Sequence, residues 1–226
     1  MSLFHLLASS LVGRRIARHP AFLTTSSTAA VPAPNGTRRN EAWSVGSGPA
    51  VLLVHDALGG PEDMAPLAIA LAHHGYRAIG LAGEVGDDRE SCLGVLARMT
   101  DAVLDVAHAE APLAGIVAHG VGATAVLLAL SREHFTHDAV LIGADAHELS
   151  PEAASDLDDV RSLLIHSRDD DVASLHGALA FAHAWPKSML ARVDGLGHER
   201  ILFAESTLDS MLRFFDTRDL EPHVHH

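Results

Sequence analysis

Four short segments of this 226-residue chain hold the residue types that acid–base or nucleophilic chemistry needs. They are His55-Asp56-Ala57-Leu58-Gly59-Gly60, Ala118-His119-Gly120-Val121-Gly122-Ala123, His166-Ser167-Arg168-Asp169-Asp170-Asp171-Val172 and Asp194-Gly195-Leu196-Gly197-His198. A histidine held in one tautomer by a carboxylate is a competent general base. A strand that turns into a helix through small residues is the setting in which a Gly-x-Ser-x-Gly turn presents a nucleophile. Here the small residues are present, but the apex is Gly120 and carries no hydroxyl.

Each segment follows a short apolar run. Ala50–Val54 reads as a strand buried on both faces, Leu113–Val117 as a short buried strand, Ser162–Ile165 as a further short apolar strand and Met189–Val193 as the last strand. Further strands are expected near Arg38–Val45, Tyr76–Ala82 and Ala139–Ile142. Helical patterns lie at Pro61–His74, Glu90–Glu110, Val121–Leu130, 172–184 and Glu199–Phe215, with Gly75 a stop signal. Strands alternating with helices indicate βαβ units and a parallel sheet. In such a sheet, reacting groups gather at the carboxyl ends of the strands, where all four segments fall. There is no internal repeat and no low-complexity segment.

In this order and placement, the four segments resemble those of the α/β-hydrolase superfamily over roughly residues 36–216. The resemblance implies an α/β fold: a mostly parallel twisted sheet with helices on both faces. The short stretch between Ala144 and Arg161 leaves no room for a lid domain, as in small bacterial members. The resemblance also implies Asp170 as triad acid, His198 as triad base and Gly120 at the nucleophile position. Backbone amides of Ala57 and Val121 would form the oxyanion hole, and His55, Asp56 and His119 would stand near the ligand. The expected division is a basic extension over 1–35, the domain over 36–216 and a tail over 217–226.

Two residues depart from that pattern. Gly120 removes the attacking atom, and losing one triad member leaves only what binding and the oxyanion hole supply. Asp56 stands where the family usually has glycine, and a carboxylate beside an oxyanion hole opposes the developing charge. Small neighbours at Ala118, Gly122 and Ala123 suggest that a serine at 120 would fit without a clash.

Three classes of function fit these residues. The first, which the two departures favour, is a catalytically impaired hydrolase (a pseudoenzyme) with a small-ligand pocket. The second is an active hydrolase or lyase in which Asp170 and His198 activate water or a substrate proton. The third is an esterase-like serine hydrolase whose serine was replaced. The expected partner is a small ester, thioester or amide, with no cofactor.

Composition narrows the setting. The formal charge of -13 disfavours nucleic acid as a partner. No apolar run reaches the roughly 18 residues of a membrane span. One cysteine, Cys92, excludes an intramolecular disulfide and suits a cytoplasmic protein. Residues 1–40 contain five arginines and no acid, so the remaining 11 basic residues face all 29 acidic ones, a net of -18. That leader, with Leu3, Phe4, Leu6, Leu7 and Leu11 on an apolar face, reads as a helix, a basic arm or an organellar targeting segment. The 17 histidines lack zinc-site spacing, so no metal is expected. Of Asp169, Asp170 and Asp171, at least two read as a solvated helix start, and His166 as a satisfied histidine at a strand end.

Overall fold

The computed structural model describes residues 27–32, 39–57, 59–81, 92–144 and 157–217. The leader up to residue 26, Leu58 and the tail from 218 lie outside the described residues. One eight-stranded sheet runs through the molecule. Its strands are β1 (Ser27–Pro32), β2 (Arg39–Gly46), β3 (Ala50–Val54), β4 (Arg77–Leu81), β5 (Leu113–His119), β6 (Asp138–Ile142), β7 (Arg161–Ser167) and β8 (Ser188–Val193), in the order β1-β2-β4-β3-β5-β6-β7-β8. From β4 to β8 all neighbours are parallel, whereas β1 and β2 pair antiparallel at one end.

Every residue of β3, β5 and β6 is buried, as expected of strands covered on both faces. Side chains alternate across the sheet. Leu52, Val54, Ile116, Ala118, Leu141 and Leu164 face one layer of helices, which comprises α2 (Cys92–Glu110), α3 (Val121–Arg132) and α4 (Leu175–Ala184). Val51, Leu53, Val117, Val140, Ile142 and Ile165 face the other, built on α1 (Ala65–His73) and α6 (Glu205–Asp216). A short helix, α5 (Gly197–Arg200), follows β8.

Two differences from the sequence reading have physical causes. Residues 27–32 sit within the expected extension, yet they form β1 by pairing with β2 from Ser27↔Ser44 to Pro32↔Arg39. This segment ends in proline, which edge strands tolerate and interior strands do not. The closing helix is broken as well. α5 and a 3-10 turn at Ile201–Phe203 precede α6, which starts only at Glu205.

The sheet order reverses around β3. Its neighbours are β4 on one side and β5 on the other. That is the switch point at which the loops after β3 and β5 diverge and leave a crevice at the strand ends.

Candidate active site

Gly120 follows β5 and is the residue before α3, with φ 56 and ψ −127. Side chains rarely adopt this positive φ, so glycine relieves strain that a serine would carry. The Gly120 N–H donates to the Ile142 carbonyl at 3.0 Å, fixing the turn against β6. A Cβ at Gly122 would meet the Val54 side chain at 3.0 Å and the His55 carbonyl closer still. The small residues at 118–123 therefore answer to close packing of helix on strand.

The first amides of a helix have no partner inside it. Val121 N–H is such a group, and its partner here is Asp56. The carboxylate Oδ1 accepts it at 2.7 Å, a charge-assisted bond at the positive end of α3. This is the same amide that the sequence resemblance assigned to an oxyanion hole. Asp56 also fills the space above Gly120. A Cβ built there would lie 2.6 Å from the Asp56 Cγ and 3.0 Å from its Cβ, with Oδ1 nearer still. The expectation that a serine would fit without a clash therefore fails. The obstacle comes from the β3 loop, 64 residues away in sequence, and not from the flanking residues of the turn.

Asp170 and His198 stand on the other side of this carboxylate. Asp170 Oδ1 accepts the Val172 and Ala173 amides at 2.9 and 2.8 Å, while Oδ2 lies 2.9 Å from His198 Nδ1. Burial pushes the Asp170 pKa up, yet the Ala173 amide, His198 and the Val172 amide together hold it below the ordinary carboxylate value. An ionised carboxylate only accepts, so Nδ1 of His198 is the donor, and in the neutral ring Nε2 carries the lone pair. His198 is 7% exposed, and its buried Nε2 has no hydrogen-bond partner among the described residues. That nitrogen lies 4.0 Å from Asp56 Oδ2.

Two supports were not legible in the sequence. Asp169 Oδ1 accepts the Ser167 hydroxyl and the Gly195 amide, each at 2.7 Å, and Gly197 N–H donates to Ser167 at 3.1 Å. These bonds clamp the β7 loop, which carries Asp170, to the β8 loop, which carries His198. The Ser167 hydroxyl and the Gly195 amide hold the Asp169 pKa below its ordinary value. Asp169 is thus a tie between loops and not part of a helix start, since α4 begins only at Leu175. The second support is Gly143, at φ 56, where a Cβ would lie 3.2 Å from the His198 ring and 3.4 Å from Asp170 Oδ2. No spacing rule points to a glycine that makes room for another residue's ring.

The remaining expected residues take inward positions. His119 is 3% exposed. Its ring lies 4.5 Å from that of His198, and Nε2–H donates to the His198 carbonyl at 3.0 Å. Burial, with the repulsion between the two rings when both are protonated, lowers its pKa from 6.5 to about 4, so His119 is neutral near pH 7. His55 is 2% exposed and its Nδ1–H donates to the Asp56 carbonyl at 2.7 Å, shaping the loop that carries Asp56. Ala57 is half-buried beside it. His166 is buried and its Nε2–H donates to the Ala173 carbonyl at 3.0 Å, bracing the Asp170 turn from below.

Solved structures match this architecture over most of the chain. A serine hydrolase involved in carbazole degradation superposes with a TM-score of 0.72, covering 86% of this chain and 100% of that one at 17% identity. The fold is that of the α/β hydrolases. A serine hydrolase of the polyaromatic-hydrocarbon-degrading bacterium Cycloclasticus zankles matches with a TM-score of 0.70 at 15% identity, covering 85% of this chain and 99% of that one. The 2-hydroxy-6-oxo-6-phenylhexa-2,4-dienoate hydrolase of a Rhodococcus species matches at 0.66 and 14% identity, covering 85% and 99%. No family model matches the sequence, and no curated protein matches it significantly. Among the described residues, no helix is long and apolar enough to cross a membrane.

Proposed function

We propose that this α/β-hydrolase-fold protein has lost serine acyl transfer and keeps a small-ligand site built on Asp170, His198 and Asp56. The observation that carries the reading is the Asp56 carboxylate, 2.7 Å from the Val121 amide and in the volume a side chain on Gly120 would take. A substrate carbonyl oxygen would have to displace an anion from the amide that should stabilise its own developing charge. With no hydroxyl at 120, nothing at the turn can form the acyl intermediate.

A second reading rests on the unpartnered His198 Nε2. With Asp170 fixing the tautomer, that nitrogen can take a proton from water or from a substrate held over Gly120. His119 and His55 act in either reading as positioning residues, one for the His198 backbone and one for the Asp56 loop. The ligand class remains a small ester, thioester or amide.

Ester hydrolysis by reverting variants tests the first reading. Wild type and Gly120→Ser should both be silent toward short p-nitrophenyl esters. Gly120→Ser combined with Asp56→Gly should hydrolyse them, and adding His198→Ala should abolish the gain. Acyl-enzyme turnover by the wild type would refute the reading.

A further inference from the structure

β8 is the last strand of the sheet, and among the described residues no strand pairs with its outer edge. The Ser162 N–H donates to the Lys187 carbonyl and the Arg168 N–H to the Val193 carbonyl, so the odd-numbered residues of β8 bond to β7. The N–H and C=O of one strand residue point to the same side, and successive residues alternate. Leu190 and Arg192 therefore turn their backbone donors and acceptors outward.

Such a row is a template for another strand, and edges are commonly blunted by charge, proline or a bulge. The opposite edge strand, β1, ends in Pro32. β8 has no proline, and Arg192 is its only charged residue. It runs without a bulge from Ser162↔Ser188 to Ser167↔Val193, and Met189 on it is 48% exposed. Helix α4 packs against β8 and contains no Asp, Glu, Lys or Arg, although its Leu179 is 42% exposed. We propose that β8 is the interface of a two-fold dimer, in which a second copy of this chain adds its own β8 antiparallel and continues the sheet.

The strand complements itself in one register. A two-fold axis normal to the sheet keeps each face on its own side, so residues that face each other are both odd or both even. The Ser188 N–H already donates to the Trp185 carbonyl, which leaves Leu190 and Arg192 as the free pair. Both are used when Ala191 lies on the axis and Leu190 exchanges its two backbone bonds with the partner's Arg192. Met189 then faces the partner's Val193. Lys187 before the strand and Asp194 after it are held only in exposed ion pairs, and antiparallel pairing brings these opposite charges together. A second α4 comes alongside the first on the same face of the sheet and gives Leu179 apolar cover. The two candidate sites, at the carboxyl ends of the strands, open on opposite sides of the dimer.

The inference is independent of the loss of acyl transfer. Sedimentation equilibrium of the full chain should show a dimer. Arg192→Pro removes an outward N–H and none of the bonds to β7, and edge strands accept proline. The two-fold repeats that loss, so the dimer should weaken on the order of 10- to 100-fold. Arg192→Ala keeps the N–H and should leave the dimer nearly intact. In a Cys92→Ser background, Ala191→Cys should cross-link two chains under mild oxidation, because residues facing each other across antiparallel strands lie within disulfide reach. Met189→Cys faces the partner's Val193 and should not. The cross-link decides the matter if Arg192→Pro fails to fold. A monomer at every concentration, a dimer that folded Arg192→Pro leaves unweakened, equal weakening by Arg192→Ala, or no cross-link at Ala191→Cys would overturn the proposal.

Discussion

Asp56 accepts the Val121 amide proton at 2.7 Å, and in doing so occupies the space that any side chain on Gly120 would need. The two departures from the hydrolase pattern are therefore one structural event. Glycine at 120 makes room, and aspartate at 56 takes it. Asp56 against a serine would clash, and Gly120 without Asp56 would leave the Val121 amide to water.

The first prediction separates these changes by stability. Gly120→Ser should destabilise the fold by about 1–3 kcal/mol, because it combines positive φ with crowding against Asp56. Asp56→Gly in the same chain should recover the crowding part and leave the backbone strain. Denaturant unfolding of the single and double variants measures both. Equal stability of the two would show that Asp56 does not crowd position 120.

Acid should destabilise the protein through His119 and Asp170. The unfolded chain protonates a histidine near pH 6.5, whereas burial holds His119 neutral down to about 4. Stability is therefore lost as pH falls through that window, by on the order of 3 kcal/mol. Asp170, held below its ordinary value, adds a further loss as pH falls through its lowered pKa. His119→Gln keeps a donor for the His198 carbonyl and removes the titration. Its stability between pH 6.5 and 4 should fall less steeply than that of the wild type, as urea unfolding across the range would show.

Asp170→Asn tests whether the carboxylate sets the His198 tautomer. The amide can still accept from Val172 and Ala173, but it turns an N–H toward Nδ1, which forces the proton onto Nε2. In the Gly120→Ser, Asp56→Gly background, ester kcat should fall on the order of 10⁴-fold with KM little changed. An unchanged kcat would remove Asp170 from the general-base pair.

Packing at the start of α3 is tested by stability alone. Gly122→Ala places a methyl against Val54 and the His55 carbonyl, so the helix must lift from the sheet. The cost of such overpacking is about 1–3 kcal/mol, a fall in Tm of roughly 2–12 °C. Thermal unfolding reads it directly, and an unaltered Tm would contradict the close approach of helix and strand.

What the sequence made legible follows the range of the interactions. Ala50–Val54 and Leu163–Ile165 declare buried parallel strands because the signal lies within the run itself. Asp170 and His198 stand at strand ends where local spacing points, and their 2.9 Å separation follows once β7 and β8 are neighbours. β1 escaped notice because a short edge strand is defined by its partner, β2, and not by its own pattern. The Asp56–Val121 contact joins two loops from different strands, so no local window contains it. The Asp169–Gly195 tie and the room that Gly143 leaves for His198 are hidden for the same reason.

The central claim, that Asp56 occupies the place of the nucleophile, is tested most directly by fluorophosphonate labelling with peptide mapping of position 120. The wild type and Gly120→Ser should remain unlabelled at the turn, whereas Gly120→Ser with Asp56→Gly should label at Ser-substituted position 120, close to one probe per chain. Full labelling of Gly120→Ser with Asp56 in place would contradict the claim, because it would show a serine at the turn reaching both His198 and the Val121 amide past the carboxylate said to block them.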